Sequence, residues 1–144
     1  MKRKFTFLIA AAVMLLTMVA TTGEMWGQTR ETAGFSLKTT STVPVAANAN
    51  PATGTINGTE STWDVTITGT FTSSSMQGTN GNKYWQMGKN GAPITSAEFS
   101  TDDISGTITN IVVNCAAYSG IGTISATVGG NAFGTQNQNI HLGQ

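Results

Sequence analysis

The sequence predicts an all-β protein, an antiparallel β-sandwich of about six or seven strands that follows an N-terminal signal peptide. Of the 116 residues from Thr29 onward, 58 are Thr, Ser, Gly or Asn, a composition that disfavours helices and suits strands joined by turns. Several segments also alternate apolar and polar residues, as strands do when one face is buried. These segments recur about every ten residues, the spacing of a sandwich, although a partly open barrel would give the same pattern.

The N-terminus has the pattern of a secretory signal. Three basic residues, at positions 2 to 4, precede an uncharged and largely apolar run from Phe5 to Ala20, which is the order found in export signals. The 16 residues of this run are fewer than the roughly 20 that a membrane-spanning helix needs. We therefore expect residues 1–28 to be a signal peptide cleaved between residues 20 and 28. The mature protein would be extracellular, at the cell surface or periplasmic, without spanning a membrane.

The first part of the mature chain predicts little regular structure. Residues 29–60 are rich in Pro, Gly, Asn and small side chains, so we expect a leader or irregular segment with an edge strand near Phe35 to Leu37. A strong strand follows from Trp63 to Thr72, where apolar residues alternate with polar ones. Gly69 within it predicts a bend or bulge. This strand opens the predicted sandwich module, residues 61–134.

Turn signals divide the rest of the module. The Ser- and Gly-rich segment 73–82 predicts a turn, Tyr84 to Met87 a short strand, and Asn90-Gly91 a hairpin turn. Residues 94–101 predict the next strand, and Asp102 to Gly106 the turn after it.

Two more strands complete the module. The stretch from Thr107 to Tyr118 is the most β-branched of the chain and predicts a central strand. Residues 123–128 form another strand, and the glycines that follow predict a tight turn into Ala132-Phe133. Residues 135–144 are polar and predict a tail or the start of a missing strand.

Several of these motifs resemble a known family. The segments Tyr84-Trp85-Gln86-Met87-Gly88, Ile104 to Thr109, Ile111 to Asn114, and Ala126 to Gly130 with Phe133-Gly134 resemble a β-rich module of gut-bacterial secreted and surface proteins. The resemblance spans about residues 62 to 134. It implies a structural module that occurs alone or beside extracellular hydrolase and nuclease domains, and in which further strands usually follow the Val-Gly-Gly hairpin.

Charge and composition exclude several partners and cofactors. Four basic and six acidic residues follow residue 28, a net charge of −2, so no basic face is available for nucleic acid or for an anionic membrane. Zinc needs three or four ligands at set spacings, which one histidine, His141, and one cysteine, Cys115, do not provide. No cofactor is therefore expected.

Two groups of residues have a structural and a chemical interpretation. Asp102 and Asp103, with Glu98 nearby, could supply oxygen ligands to calcium, but adjacent acids in a turn more commonly stabilise the turn itself. Cys115 aligns with Ile111 and Val113 in an alternating segment, which favours a buried, inert thiol over a reactive nucleophile.

The aromatic segment near the middle of the chain predicts a binding site. Tyr84 and Trp85 are adjacent, so in a strand they point to opposite faces, one toward the core and the other partly exposed. Exposed rings stack on sugars, and Lys83 and Lys89 flank the pair. We expect these four residues to form a carbohydrate-binding patch, and we expect Trp63, on the apolar face of its strand, to be a core residue.

These observations favour a non-enzymatic surface module that works by binding or adhesion, with a glycan or another surface protein as its partner. A first alternative is an assembly subunit that pairs an open sheet edge with a strand from a partner. A second is an accessory fragment of a secreted hydrolase, although the chain shows no nucleophile, base and orienting group in a catalytic pattern.

Overall fold

The computed structural model describes the backbone of residues 3–9, 12–14 and 17–22, and the complete residues 32–79, 81–115 and 122–140. All regular secondary structure in these ranges is strand, and every strand pair is antiparallel. The all-β prediction is therefore confirmed. In the part of the chain that the structure describes, no helix is long and apolar enough to cross a membrane.

Twelve strands follow one another in the described residues, nine of them from residue 32 onward. In chain order they are β1 (Arg3–Ile9), β2 (Ala12–Met14), β3 (Thr17–Thr22), β4 (Thr32–Ser36), β5 (Ala52–Asn57), β6 (Thr62–Gly69), β7 (Ser74–Gln77), β8 (Tyr84–Met87), β9 (Ile94–Thr101), β10 (Ile108–Val113), β11 (Gly122–Val128) and β12 (Asn131–Asn139).

The strands form one large and two small sheets. The large sheet has the order β12-β11-β1-β9-β6-β5, and the small sheets have the orders β10-β3-β4 and β2-β8-β7. Aromatic contacts join each small sheet to the large one. Phe35 of β4 lies 5.6 Å, between ring centroids, from Phe99 of β9, and Trp85 of β8 lies 6.5 Å from the same ring. Because the same ring of Phe99 contacts both small sheets, these sheets lie on one face of the large sheet. The large sheet forms one layer and the two small sheets form the other, which gives a β-sandwich with Phe99 near its centre.

Strand alternation explains the core. In β6, Trp63, Val65 and Ile67 are buried, whereas the residues between them face outward and are exposed or half-buried. The prediction that Trp63 is a core residue is thus confirmed. In β9, Ala97 and Phe99 have no exposed surface, and they lie opposite Ile67 and Val65 of β6. Burial of these apolar faces is the main stabilising contribution.

The two core tryptophans satisfy their indole N–H groups in the same way. Trp63 Nε1 donates to Ser61 Oγ at 2.8 Å, and that hydroxyl donates to the carbonyl of Thr59 at 3.0 Å. Trp85 Nε1 donates to Ser74 Oγ at 2.9 Å, and that hydroxyl donates to the carbonyl of Val45 at 2.6 Å. A buried donor without a partner would be costly, so these serines allow both large rings to enter the core.

Several predicted elements agree with the structure. The strand over 94–101 has the predicted bounds. The strand from Trp63 ends at Gly69, where a positive φ of 119° and a register shift relative to β9 produce the predicted bulge. Gly129 and Gly130 have φ values of 59° and 83° and connect the register pair Val128 and Asn131 of the β11–β12 hairpin, as a type I′ turn requires.

Other elements differ from the prediction. The segment predicted as leader contains β5, whose small residues give little strand signal but pair with β6 over six positions. The segment predicted as a turn contains β7, and residues 135–139, predicted as a polar tail or the start of a missing strand, form the last part of β12. Each of these strands has a paired neighbour that supplies its hydrogen bonds, and such tertiary pairing overrides weak strand propensity.

The predicted central strand over 107–118 is also wrong. β10 ends at Val113 and lies at the edge of its sheet, in the order β10-β3-β4. Only one of its faces packs inward: a bulge between Ile108 and Asn110 shifts the alternation, so that Ile108, Ile111 and Val113 pack on the core while Val112 is 40% exposed. Its β-branched composition reflects strand propensity, which edge and central strands share. Residues 116–118 of the predicted strand lie outside the described residues.

Candidate functional site

The short strands β7 and β8 present two chemically different faces. Trp85 and Met87 of β8 have no exposed surface and belong to the core. The other face carries Tyr84 and Gln86 of β8, and Gln77 and Ser75 lie opposite them on β7. Tyr84, Gln86 and Ser75 are half-buried and Gln77 is exposed. We call these four residues the β7–β8 outer face.

The structure places the four predicted site residues in different environments. One residue of the aromatic pair is buried and the other half-buried, as alternation predicts, but the buried one is Trp85. A sugar cannot stack on a ring without exposed surface, so Trp85 supports the site only from beneath. Lys83 is half-buried beside Tyr84, and its backbone N–H donates to the carbonyl of Lys38 at 3.0 Å. Lys89 is exposed in the turn that ends at Ala92.

The β7–β8 outer face has the groups that polar, ring-shaped ligands use. Tyr84 combines an aromatic ring with a hydroxyl. Gln86 and Gln77 each offer carboxamide donors and an acceptor, and Ser75 offers a hydroxyl. Gln77 Nε2 donates to Ser75 Oγ at 2.9 Å, which restrains both side chains. A flat sheet surface with one ring and several amide and hydroxyl groups can stack on a sugar and hydrogen-bond its hydroxyls.

Sequence reasoning missed Ser75, Gln77 and Gln86. Gln86 could have been found, because it is two residues from Tyr84 and alternation puts both on the same face. Ser75 and Gln77 gave no signal, since their segment was predicted to be a turn. Only the pairing of β7 with β8 brings them opposite the tyrosine.

A concave feature lies between two of the sheets. A groove of about 520 Å³ opens between β10 on one side and the β11–β12 hairpin on the other. We call it the inter-sheet groove. Most of its apolar lining is half-buried, namely Ile111, Val113, Cys115, Ile124, Ala126 and Phe133. The exposed Val112 and the buried Ile140 also line it, so the core is less completely filled here than around Phe99.

Cys115 is a half-buried free thiol in this groove. Burial disfavours the charged thiolate and raises the pKa of Cys115 from 9.0 to about 11. The thiol is therefore protonated and weakly nucleophilic at neutral pH, which agrees with the predicted inert role.

Alkylation should follow this pKa. We expect iodoacetamide to label Cys115 of the folded chain slowly at pH 7 to 9, with a rate that rises toward a midpoint near pH 11. Because the unfolded thiol ionises at lower pH, the stabilising contribution of the neutral thiol is present below about pH 9 and is lost as pH rises to about 11. Cys115→Ser should abolish the alkylation and the loss of stability between about pH 9 and pH 11. Equal labelling rates in folded and urea-unfolded protein at pH 9 would contradict the burial.

One of the acidic residues considered for calcium, Asp103, has a structural role. Asp103 Oδ2 accepts a hydrogen bond from the backbone N–H of Thr62 at 2.6 Å, and the backbone N–H of Asp103 donates to Thr101 Oγ1 at 3.1 Å. Asp103 therefore connects the β9–β10 turn to the start of β6. Among the complete residues of the structure, no three His, Cys, Asp or Glu side chains form a metal-binding group. His141 lies outside the described residues.

A shallow polar groove of about 330 Å³ lies on the outer face of the large sheet. Asp64 and Thr66 of β6 lie opposite Ser100 and Glu98 of β9, so these four side chains share one face. The face carries hydroxyls and carboxylates but, among its lining residues, no aromatic ring. This polar face without an aromatic ring therefore serves as a comparison for the β7–β8 outer face, which has one.

Comparison with protein-family models, with curated proteins and with solved structures found no match. The interpretation of the site therefore depends on the residues described above. The feature that distinguishes the β7–β8 outer face is the half-buried ring of Tyr84 among amide and hydroxyl groups.

Proposed function

We propose that this chain is an exported, non-enzymatic β-sandwich module that binds carbohydrate through the β7–β8 outer face. Export is supported by the basic and then apolar N-terminal sequence. The observation that carries the binding proposal is the division of β8 into two faces, with Trp85 in the core and Tyr84 and Gln86 at the surface. A rigid sheet then presents the tyrosine ring without a large loss of conformational entropy on binding.

Each residue of the face has a distinct role in this proposal. The ring of Tyr84 packs on the apolar face of a sugar. The carboxamides of Gln86 and Gln77 and the hydroxyl of Ser75 exchange hydrogen bonds with the sugar hydroxyls. The buried Trp85 fixes the strand from beneath.

Affinity electrophoresis of the full chain in gels that contain individual polysaccharides tests the proposal. We expect at least one polysaccharide to retard the wild-type chain, and Tyr84→Ala to weaken that binding by about tenfold or more, which is about 1.4 kcal/mol. Gln86→Ala should weaken it by a smaller factor, since it removes hydrogen bonds without the ring.

Thr66→Ala is the matched control, because it removes a hydroxyl from the outer face of the large sheet. Its retardation should equal that of the wild type. If Tyr84→Ala is retarded as strongly as the wild type on every polysaccharide that retards the wild type, or if Thr66→Ala causes the larger loss, the assignment to the β7–β8 outer face is wrong.

A further inference from the structure

The N-terminal strands occupy internal positions in the sandwich. β1 lies between β9 and β11 in the large sheet, and β3 lies between β4 and β10 in a small sheet. The β11–β12 hairpin pairs with the remaining strands only through β1, and β10 pairs only with β3, among the described strands. Among the described strands, β1 and β3 therefore supply all of the backbone pairing that links β10, β11 and β12 to the rest of the molecule.

These connecting strands coincide with the predicted signal peptide. Removal of residues 1–28 would leave residues 97–101 of β9 and 122–124 of β11 without the backbone partners that β1 gives them. Both edges would then present rows of unpaired backbone N–H and C=O groups, the surface on which strand addition occurs. We call the strand position between these two edges the β9–β11 slot.

We propose that the exported domain is a strand acceptor, in which an extended segment of another polypeptide fills the β9–β11 slot. The segment runs antiparallel to both neighbours, as β1 does. Two open edges on either side let one strand complete two rows of backbone hydrogen bonds, which is the basis of binding by strand addition. The proposal concerns a different surface from the β7–β8 outer face and does not depend on sugar binding.

The register of the slot specifies the side chains of the donor. Donor positions opposite Phe99 and Ala97 share the face of those buried residues, and the position opposite Ala97 also lies opposite Ile124. Positions opposite Ser100 and Glu98 share the outer face. The donor is therefore apolar at alternate positions and polar between them. Residues 4–7 of this chain, Lys-Phe-Thr-Phe, have that pattern.

The inter-sheet groove supports the same inference. It borders β11 and β10, the strands that depend on β1 and β3 for their pairing. Most of its apolar lining is already only half-buried with β1 and β3 in place. An isolated mature domain would expose more of this surface, which favours recruitment of an apolar strand.

Cysteine cross-linking on the full chain tests the proposal. A protease site is inserted between residues 28 and 29 in a Cys115→Ser background that carries Glu98→Cys, the protein is cleaved, and residues 1–28 are removed in denaturant before refolding. A synthetic peptide of residues 1–10 with Thr6→Cys is then added under mild oxidation. Because position 6 lies opposite Glu98 and position 4 opposite Ser100, we expect disulfides for the pairs 6–98 and 4–100. Cysteines placed out of register, at positions 4 and 98 or at positions 6 and 100, should form little of this disulfide-linked product.

A second measurement needs no cysteine substitution. Addition of the wild-type peptide to wild-type protein that was cleaved and refolded in the same way should slow amide hydrogen exchange in residues 97–101 and 122–124 and leave exchange in β5 unchanged. Equal cross-linking of the in-register and out-of-register pairs would overturn the proposal. It would also be overturned if the refolded protein without residues 1–28 unfolded cooperatively as a monomer and took up no peptide.

Discussion

Trp85→Ala should lower the stability of the domain more than any other substitution in the aromatic segment. Trp85 has no exposed surface, makes an edge-on contact with Phe99 at 6.5 Å and donates to Ser74 Oγ at 2.9 Å. Removal of a buried Trp side chain typically costs about 3–5 kcal/mol, a large part of the roughly 5–15 kcal/mol that stabilises a domain. We expect the midpoint of thermal unfolding, followed by circular dichroism, to fall by more than about 10 °C.

Tyr84→Ala is the matched control, because it removes the neighbouring ring from the opposite face of the same strand. Tyr84 is only half-buried, so its loss should lower stability by about 1 kcal/mol or less. The pair of variants separates the two aromatic residues into a structural and a binding role. Similar midpoints for the two variants, or a larger fall for Tyr84→Ala, would contradict the orientation of β8.

Gly58→Ala should cause the second large loss of stability, because the backbone of β4 leaves no room for a side chain at this position. A Cβ at residue 58 would overlap the carbonyl oxygen of Gly34 and lie 2.8 Å from its carbonyl carbon. The same contact is held by two backbone bonds, from Thr59 N–H to the carbonyl of Gly34 at 2.6 Å and from Gly34 N–H to the carbonyl of Thr59 at 3.2 Å. β4 must therefore move away or lose these bonds.

Overpacking of this kind costs about 1–3 kcal/mol and occasionally more, so we expect denaturant unfolding of Gly58→Ala to show a clearly lower midpoint. Thr59→Ala serves as the control, since the side chain of Thr59 is exposed and its backbone bonds do not depend on it. Its midpoint should remain close to that of the wild type. A wild-type midpoint for Gly58→Ala would show that β4 is not anchored to this loop.

The parts of the fold that sequence could predict are those with strong period-two alternation. Trp63 to Gly69 has an apolar residue or glycine at every second position and forms most of the strand expected from Trp63 to Thr72. Ile94 to Thr101 alternates only around Ala97 and Phe99, and it forms the strand expected of it. Turn glycines were equally informative, since Gly129 and Gly130 need positive φ values that few other residues adopt. Local chemistry alone determines these features.

Other strands depend on partners that the local sequence does not reveal. Ser74 to Gln77 lacks branched or aromatic residues, and in β12 the stretch from Thr135 to Asn139 has no apolar side chain. Each pairs with a neighbour, β8 and β11 respectively. Burial by the other sheet likewise decided the orientation of β8. Alternation predicts that Tyr84 and Trp85 face opposite sides, but only packing against Phe99 places the tryptophan inside.

The central proposal is that Tyr84 and its amide and hydroxyl neighbours bind a glycan. Thermal unfolding of the full chain across a panel of polysaccharides tests it most directly, because a ligand that binds the native state must raise the unfolding midpoint. We predict that at least one polysaccharide raises the midpoint of the wild type and of Thr66→Ala but not that of Tyr84→Ala. A midpoint that no polysaccharide changes, or one that rises equally in Tyr84→Ala, would contradict the proposed function.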